Sequence, residues 1–400
     1  MPTDNIKLLK SIQKDDFPTE SDRFEAKEAA RALLSRLETP FERAWSLTAE
    51  QPMYVAGLLL LKDLGIWTKW ADLDREDCPA ASRSLTDILA MCTTAVEPNL
   101  LLEEVDVDTW KPTAFSLGMG GEIGKMMQMT IDHSWPSGLH LPKFLAKVGY
   151  VEPLNLSKFD NYTDVYGLPY WERCEREPEI GGSFWALMGG LTANKMDWTA
   201  VYDTNRLVDG ADISSAQAPP LFVDVGGLHG LDTNRLLARH PSLPAGILFV
   251  QDLPGIVDAQ NELDQKAVHE GRPRLDSRIS RMKHDFYNPQ PLLGARAYFL
   301  HAVLHDWPDA DCIRIYFVVE RIRDAMTKGY SKLLIYEVVL PPKGATSFAG
   351  AIDMCLMTMT SGRERTEADW KQMIEAVRLR VVRIDRHDRA VESVIEVELA

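Results

Sequence analysis

LFVDVGGLHG, residues 221–230, joins an apolar run of strand type to a glycine-rich turn, and a segment with helical spacing, LDTNRLLARH, follows it. Glycines at such a turn let the main chain approach a ligand, and the free N–H groups at the start of the helix attract anionic groups. Asp252 ends the next apolar run, GILFVQD, where a carboxylate can accept both hydroxyls of a ribose. The pattern predicts a nucleotide-type cofactor site, although a tight structural turn with a solvated acid is the alternative interpretation.

The sequence downstream of a linker, SSAQAPP, alternates strand-like and helix-like segments up to the last residues. AYFLHAVL precedes DADCIRIYFVVERIRDAM, and KLLIYEVVL precedes TEADWKQMIEAV. This alternation predicts an α/β fold with a doubly wound parallel sheet over residues 214–400. VVRIDR and SVIEVEL then resemble a terminal hairpin, which we expect to add one antiparallel strand at the sheet edge.

The first half of the chain is mainly helical in pattern. Residues 1–40 form a charged extension with helical spacing in FEAKEAARALLSRL (24–37), and residues 41–150 show helix, turn, helix and short strands, the outline of a winged helix. Residues 151–213 contain further helical segments that connect the two parts and could cover a substrate. Winged helices often bind DNA, but residues 40–120 hold six Lys or Arg against thirteen Asp or Glu, so we expect association or lid duties instead.

Composition excludes several classes of protein. The net charge of −15, from 44 basic and 59 acidic residues, argues against nucleic-acid and anionic-membrane partners. Five scattered cysteines without a CxxC predict neither disulfides nor a zinc site, and no metal is expected. The first thirty residues lack an apolar signal core and no apolar run is long enough to span a bilayer, so a cytoplasmic protein with a neutral or cationic small-molecule partner is expected.

LHDWPD, residues 304–309, places an imidazole at the end of a predicted strand and before a helix start. His305 could accept a proton from a hydroxyl near neutral pH, and a phenol needs such a base because its own pKa is near 10. A lone histidine is more often structural, and Asp306 beside it could cap the following helix or touch a cofactor. The glycines alone leave nicotinamide and flavin cofactors open.

Six ordered blocks carry a resemblance to a known family: VDVGG, QDLP (251–254), MKHDF (282–286), LHDWPD, LLIYEVVLP (333–341) and GRERTEADW (362–370). They resemble the signature of plant-type and fungal small-molecule O-methyltransferases, which use S-adenosylmethionine and place a winged-helix dimerisation domain before a Rossmann-like methyltransferase domain. The resemblance implies a homodimer and methylation of a hydroxyl on an aromatic or polyketide-type metabolite.

The resemblance also implies roles for single residues. Gly226, Gly227 and Gly230 would surround the methionine end of the cofactor, Asp252 its ribose, and Asp285 and Phe286 its adenine. His305 would be the general base, with Glu337 and Glu364 orienting its imidazole. Phe184, Met188 and Met357 match apolar positions around the substrate, although a methionine-rich core is the alternative, and His133 is a further substrate-side candidate.

Four positions depart from the family pattern. Leu228 replaces a third glycine, His301 stands where relatives carry Lys or Arg, Tyr336 where fungal relatives often have Asn, and Met359 where some phenylpropanoid enzymes have Asn. Certain fungal members bind the cofactor only as a cation and catalyse pericyclic or dehydrative rearrangements, so such a pericyclase is the alternative function. A binding protein with a relict enzyme fold is a third hypothesis.

Overall fold

The computed structural model describes residues 2–45, 51, 55, 62, 65–70, 83–84, 102–107, 109–112, 117–119, 122–151, 159–213, 218–269, 274–307, 312–387 and 390–400. The chain divides into two compact units, Met1–Lys125 and Met126–Ala400. None of the helices in the described parts is long and apolar enough to cross a membrane.

The first unit begins with three helices, Pro2–Ser11, Glu20–Leu37 and Pro40–Trp45, with a 3-10 turn at Lys14–Asp16. The predicted helix over 24–37 is therefore present and begins four residues earlier, because the Thr19 hydroxyl accepts a hydrogen bond from the N–H of Asp22 and caps it. Strands β1 (Arg83–Ser84), β2 (Leu102–Asp106) and β3 (Thr109–Pro112) form an antiparallel sheet in the order β1-β3-β2.

The winged helix predicted over 41–150 lies largely outside the described residues, which omit most positions between 46 and 101. The short strands that the pattern required are present as β2 and β3. The winged helix and its association role stay predictions, as do the domain boundaries placed at residues 40, 150 and 213.

A helical layer opens the second unit and confirms the helical segments predicted between 141 and 210. Two elements precede this layer in the chain. The helix Glu122–Met129 contains the boundary between the two units, and a π-helical turn, Thr130–Ser134, comes after it. The helices that follow are Trp135–Lys147, Asn161–Tyr166, Tyr170–Arg176, Pro178–Asn194, Trp198–Val201 and Asn205–Val208.

A mixed sheet forms the centre of the second unit, and the α/β class predicted from the alternating pattern is confirmed. Its strands are β4 (Phe222–Val225), β5 (Leu248–Asp252), β6 (Ile279–Lys283), β7 (Ala297–His301), β8 (Lys332–Leu340), β9 (Arg365–Thr366), β10 (Leu379–Asp385) and β11 (Glu392–Leu399). The order is β10-β11-β8-β7-β4-β5-β6, and β9 pairs with the end of β8. The connecting helices are Leu231–Arg239, Pro254–His269, Cys312–Ala325, Ser347–Met359 and Glu367–Ala376, with a 3-10 turn at Leu304–Asp306.

The position of the terminal hairpin differs from the expectation of an antiparallel strand at the sheet edge. Strand β11 is antiparallel to both β8 and β10 and lies between them, so the edge strand is β10. The burial of the two strands explains the order. The first six residues of β11 are buried, whereas β10 is half exposed and carries two arginines, Arg380 and Arg383, with Arg386 just beyond its end.

The crevice of the sheet opens beside β4, where the order of the strands reverses. Strand β5 lies on one side of β4, and β7 lies on the other. Ligands of doubly wound sheets bind at such a switch point, outside the carboxyl ends of the strands. Alternate residues of β7 fill the cores on the two faces of the sheet: Tyr298 and Leu300 on one, Ala297 and Phe299 on the other. The loops after β4, β5 and β7 therefore meet at one rigidly supported place.

Candidate active site

A cavity of about 330 Å³ lies at this switch point. Its wall brings together five of the predicted site residues on the cofactor side and two on the substrate side. These are Gly226, Gly227, Asp252, Asp285, Phe286, Phe184 and Met188, with Leu228 among the positions that depart from the family pattern. The predicted residues Gly230, His305, Glu337, Glu364, Met357 and His133 are not among the described residues that line it.

The glycine loop after β4 fits closely against its own surroundings. Gly226 has a φ of +76°, in the left-handed region that favours glycine, and a Cβ at Gly227 would lie 2.5 Å from the carboxyl carbon of Asp224. Leu228 also has a positive φ, +47°, although it carries a side chain. The loop is therefore built to bring main-chain atoms, and not side chains, to the cavity wall.

Two residues hold this loop from outside. Asp252 at the end of β5 accepts the Leu228 N–H on Oδ2 (3.0 Å) and the Leu253 N–H on Oδ1 (2.8 Å). Burial raises the pKa of Asp252, and each of its oxygens keeps a lone pair that can accept a further hydroxyl. Arg281 on β6 donates to the carbonyl oxygens of Leu228 and His229, at 2.8 and 3.1 Å. The sequence analysis missed Arg281, for which the local sequence offers no motif.

Asp285 and Phe286 follow β6 and form another part of the wall. The Asp285 carboxylate accepts the N–H of Tyr287 at 3.0 Å, and the Phe286 ring packs edge-on against Tyr287 with centroids 4.9 Å apart. This fixes an acceptor and an aromatic face side by side, the pair expected at the adenine of a nucleotide-type ligand.

His305 lies on the 3-10 turn after β7 and joins two buried glutamates. Its Nδ1 is 3.0 Å from Oε1 of Glu364 and 3.4 Å from Oε2 of Glu337. The glutamates are 3% and 1% exposed, so their charges act on the imidazole with little screening. Burial alone lowers the pKa of His305, but the two carboxylates outweigh it and raise that pKa to about 10. The imidazole is thus more basic than a free histidine.

The free nitrogen of His305, Nε2, lies on the side of Asp306. The separation between Nε2 and Oδ1 of Asp306 is 3.8 Å, and Asp306, unlike His305, lines the cavity. Burial raises the pKa of Asp306 to about 7. The sequence analysis treated Asp306 as a helix cap or cofactor contact, and the structure places it in the cavity wall beside Nε2 of His305.

A clamp on main-chain atoms holds the turn that carries His305. Oε1 of Glu337 accepts the N–H groups of Val303 and Leu304, both at 2.9 Å. Arg365, which is 1% exposed, donates to the carbonyl oxygens of Leu304 (2.9 Å) and Trp307 (2.8 Å). Gly362 completes the clamp, because a Cβ there would lie 2.2 Å from the His305 carbonyl oxygen.

Replacing Arg365 tests this clamp. Arg365→Met removes the donors from two carbonyl oxygens, so the turn shifts and we expect kcat to fall about tenfold or more while KM changes less than about threefold. Arg296→Met is the matched control. Arg296 also donates to two carbonyl oxygens, those of Leu207 and Tyr330, but it does not line the cavity, so its replacement should affect thermal stability alone. Equal losses of kcat in the two variants would contradict a positioning role for Arg365.

The predicted substrate-side residues divide into two groups. Phe184 and Met188 line the cavity with Trp171 and Trp185. His133 is fully buried, with Nδ1 2.6 Å from the Tyr162 hydroxyl and Nε2 3.3 Å from the Ile180 carbonyl oxygen. Both ring nitrogens of His133 are thus engaged inside the helical layer. Met357 is half-buried on the helix Ser347–Met359 and outside the lining, so contacts of either residue with a substrate stay predictions.

His301 is a wall residue where the family pattern has Lys or Arg. Its Nδ1 is 2.6 Å from Oδ2 of Asp232 and its Nε2 is 3.4 Å from Oε1 of Glu392, which also binds Lys195. Burial lowers the pKa of His301, but Asp232 and Glu392 outweigh it and raise the pKa to about 10. His301 therefore supplies the positive charge that a Lys or Arg would bring.

The stability of this network depends on pH. Because the pKa of His301 is raised from 6.5 to about 10 by folding, its contribution is complete below about pH 6.5 and is lost as the pH rises through about 10. The pKa of Glu392 is lowered from 4.5 to about 2, so its contribution is complete above about pH 4.5. The other groups facing His301 are Asp232, Lys195 through Glu392, and Tyr336. We expect the melting temperatures of wild type and His301→Gln to differ most at pH 5–6 and to converge towards pH 10; a constant difference would contradict this.

His305, Glu337 and Glu364 also present one nitrogen and two carboxylate oxygens within 4.8 Å of one another. That set could hold a divalent cation as well as share a proton. Among the described residues, these three form the one group whose ligand atoms lie this close together. The prediction that the chain uses no metal stays a prediction.

Comparison with known proteins places this site in a family. The sequence profile of the O-methyltransferase domain matches residues 152–377, which include the glycine loop, the base cluster and Arg365. The chain is 33% identical to O-methyltransferase ATR12 of Stachybotrys chlorohalonatus over 98% of either chain, and 34% identical to O-methyltransferase mfmE of Annulohypoxylon moriforme over 100% of this chain and 96% of that protein. The chain belongs to the O-methyltransferase domain family.

Solved structures share the fold across almost the whole chain. A complex of LepI with SAM superposes with a TM-score of 0.85 at 22% identity and covers 100% of both chains. A complex of OxaC with sinefungin and meleagrin has a TM-score of 0.76 at 22% identity and covers 96% of this chain and 94% of the other. A structure described as a pericyclic reaction enzyme is equally similar, with a TM-score of 0.83.

Proposed function

We propose that this protein transfers a methyl group from S-adenosylmethionine to a hydroxyl of an aromatic or polyketide-type metabolite, with His305 as general base. The observation that carries the proposal is the buried group of His305, Glu337 and Glu364 at the end of β7, next to the glycine loop after β4. Relatives that match nearly the full length and are named O-methyltransferases support the same activity.

The residues on the cofactor side fit S-adenosylmethionine. Gly226 and Gly227 present main chain at the wall, since a Cβ there would meet Val303 and Asp224, and Asp252 keeps acceptor capacity for ribose hydroxyls. Gly230 supports the loop from behind, since a Cβ there would meet Leu275 at 2.8 Å. The chemistry that the cofactor supplies is a methyl group on a sulfonium, open to in-line attack by an oxygen nucleophile.

His305 would prepare the acceptor. Its Nδ1–H donates to Glu364, which fixes the ring and leaves Nε2 to take the proton of the hydroxyl. The neutral form of the imidazole is the one that accepts the proton, and because the raised pKa of His305 is close to the pKa of a phenol near 10, the transfer to that form costs little free energy. Glu337 stabilises the imidazolium that forms and holds the turn at the same time.

A second function is favoured by one observation. A His305 whose pKa is about 10 is an imidazolium at neutral pH, and with Asp306 beside it the pair can donate and accept hydrogen bonds without net proton removal. This arrangement suits a pericyclic or dehydrative rearrangement of a polyketide-derived metabolite.

One experiment separates the two functions. Purified protein is incubated with S-adenosylmethionine and a panel of phenolic and hydroxypyridone metabolites, and S-adenosylhomocysteine and products are quantified by mass spectrometry. Methyl transfer predicts stoichiometric S-adenosylhomocysteine and a methylated product. Accelerated cyclisation of one compound without S-adenosylhomocysteine would support the pericyclase. Calorimetry with S-adenosylmethionine tests the third hypothesis, since a binding protein with a relict fold would show no affinity.

The organisation that we propose is a homodimer associated through the predicted winged-helix domain at 41–150, with the helices of 151–213 covering the substrate. Exposed apolar side chains on the N-terminal helices, Ile6, Leu8, Leu9, Leu34 and Leu37, are compatible with an association surface. Light scattering of the full chain tests the dimer, and a monomer at micromolar concentration would reject it.

A further inference from the structure

The charged residues on the cavity wall are mostly acidic, and the one strongly basic imidazole among them, His301, is already paired with Asp232 and Glu392. Among the described residues that line it there are six carboxylates and three histidines, and neither a lysine nor an arginine. The carboxylates are Glu175, Asp224, Asp232, Asp252, Asp285 and Asp306. A ligand with a carboxylate or phosphate would find no fixed guanidinium or ammonium group here, so the wall disfavours anions.

Four of these carboxylates have partners within the protein. Asp224 accepts the Thr233 hydroxyl at 2.8 Å, Asp232 pairs with His301, and Asp252 and Asp285 accept main-chain N–H groups. All four lie on the side of the glycine loop, where the proposed function places the cofactor. Their charges and hydrogen bonds are therefore used in building that side.

The other two carboxylates differ in this respect. Asp306 makes no hydrogen bond to the described residues, its nearest charged atom is Nε2 of His305 at 3.8 Å, and its side chain is 15% exposed. Glu175 is exposed and lies on the helix Tyr170–Arg176. Both line the cavity, Asp306 as a half-buried residue after β7 and Glu175 as an exposed one, and a half-buried carboxylate without a hydrogen-bond donor costs free energy until a ligand supplies one.

Aromatic rings surround the same part of the cavity. Trp171 and Trp307 lie with ring centroids 6.1 Å apart and planes 29° apart, and Phe184 packs edge-on against both Trp171 (5.4 Å) and Trp185 (4.9 Å). Aromatic faces attract cations through the ring quadrupole, most strongly where water is excluded. Aromatic rings, together with a carboxylate that accepts no hydrogen bond from the described residues, are surroundings that can recognise a cationic nitrogen.

From these contacts we infer that the acceptor substrate is an aromatic compound with a protonated nitrogen, held by Asp306 with Glu175 at the rim, and that anionic acceptors are rejected. This inference rests on the proposed function for the location of the acceptor. The charge balance supports it: the sulfonium adds one positive charge, and two carboxylates on the acceptor side leave room for a second.

Three phenols that differ at one end of the side chain test the inference: tyramine, 4-(2-hydroxyethyl)phenol and 3-(4-hydroxyphenyl)propionate. Their binding to the full-length protein is measured by calorimetry with S-adenosylhomocysteine present at near-physiological salt. We expect tyramine to bind at least tenfold more tightly than the propionate, with the neutral phenol between them. A Coulomb interaction with one partly buried carboxylate is large enough for such a ratio.

Asp306→Asn should reduce the ratio of tyramine to propionate affinity to within about threefold, and Glu175→Gln should reduce it less. Glu172→Gln is the matched control on the same helix, because Glu172 pairs with Arg176 and does not line the cavity. An equal or reversed preference in the wild type, no binding of tyramine up to millimolar concentration, or a ratio unchanged in Asp306→Asn would each overturn the inference. Failure of the proposed methyl transfer is distinguished separately, by the absence of S-adenosylhomocysteine in the mass-spectrometric assay described above, which does not depend on the order of these affinities.

Discussion

His305→Gln should lower the rate of methyl transfer about 10²- to 10⁴-fold, the contribution usual for a positioned general base. The glutamine amide can still donate a hydrogen bond to Glu364, so the turn after β7 should keep its shape. It cannot accept a proton at neutral pH, and the acceptor hydroxyl must then lose its proton to water. Single-turnover kinetics with an identified acceptor measure the loss, and calorimetry should show S-adenosylmethionine affinity within about threefold of the wild type.

His140→Gln is a suitable control for this prediction, because His140 pairs with Asp164 at 2.9 Å and does not line the cavity. Its rate should equal that of the wild type. If His305→Gln retained more than a tenth of the wild-type rate, His305 would not act as the base, and Asp306 would become the residue to test.

Glu396→Gln should lower the free energy of unfolding by about 3–5 kcal/mol, the loss expected when one member of a buried ion network is removed. Glu396 is fully buried on β11, and its oxygens accept Nζ of Lys332 (2.5 Å), Nη2 of Arg206 (2.9 Å) and the Tyr202 hydroxyl (2.9 Å). The amide leaves Lys332, itself 9% exposed, without its closest counter-charge. Calorimetric or urea unfolding of the full chain measures the effect.

The neighbouring acid on the same strand provides a control for Glu396. Glu398 also binds Lys332, at 2.9 Å, but its side chain is 27% exposed. We therefore expect Glu398→Gln to cost less than about 1 kcal/mol, as exposed pairs do. Similar losses in the two variants would mean that burial does not decide the strength of this network.

The sequence predicted those parts of the fold and site that local chemistry determines. Apolar runs broken by helical segments specify the strands, so β4, β5, β7 and β8 lie where the pattern placed them. The glycine loop and Asp252 could be identified because the turn and the strand end lie at characteristic positions in the chain. His305 was recognised for the same reason, as a polar residue that ends an apolar run.

Features that depend on distant partners could not be read from local sequence. Arg365 contacts the turn at Leu304 from a position 61 residues later, and Arg281 reaches Leu228 from 53 residues later. Nothing in the spacing of these residues indicates such contacts. The same limit applies to β11, because a hairpin fixes the pairing of its own strands but not which of the two joins the sheet.

The orientation of the His305 side chain could not be predicted from the sequence either. His305 and Asp306 are adjacent, and only the 3-10 turn decides that the carboxylate lines the cavity while the imidazole faces two glutamates.

Glu337 Oε1, Arg365 and Gly362 hold the turn through its N–H and carbonyl groups, so these contacts remain when a side chain such as glutamine, which can still donate to the glutamates, replaces His305. A substitution there alters the chemistry without altering the scaffold. One protein architecture can in this way exchange a proton acceptor for a permanent hydrogen-bond donor by a single codon change, which makes the type of reaction among the easiest properties of this fold for evolution to revise.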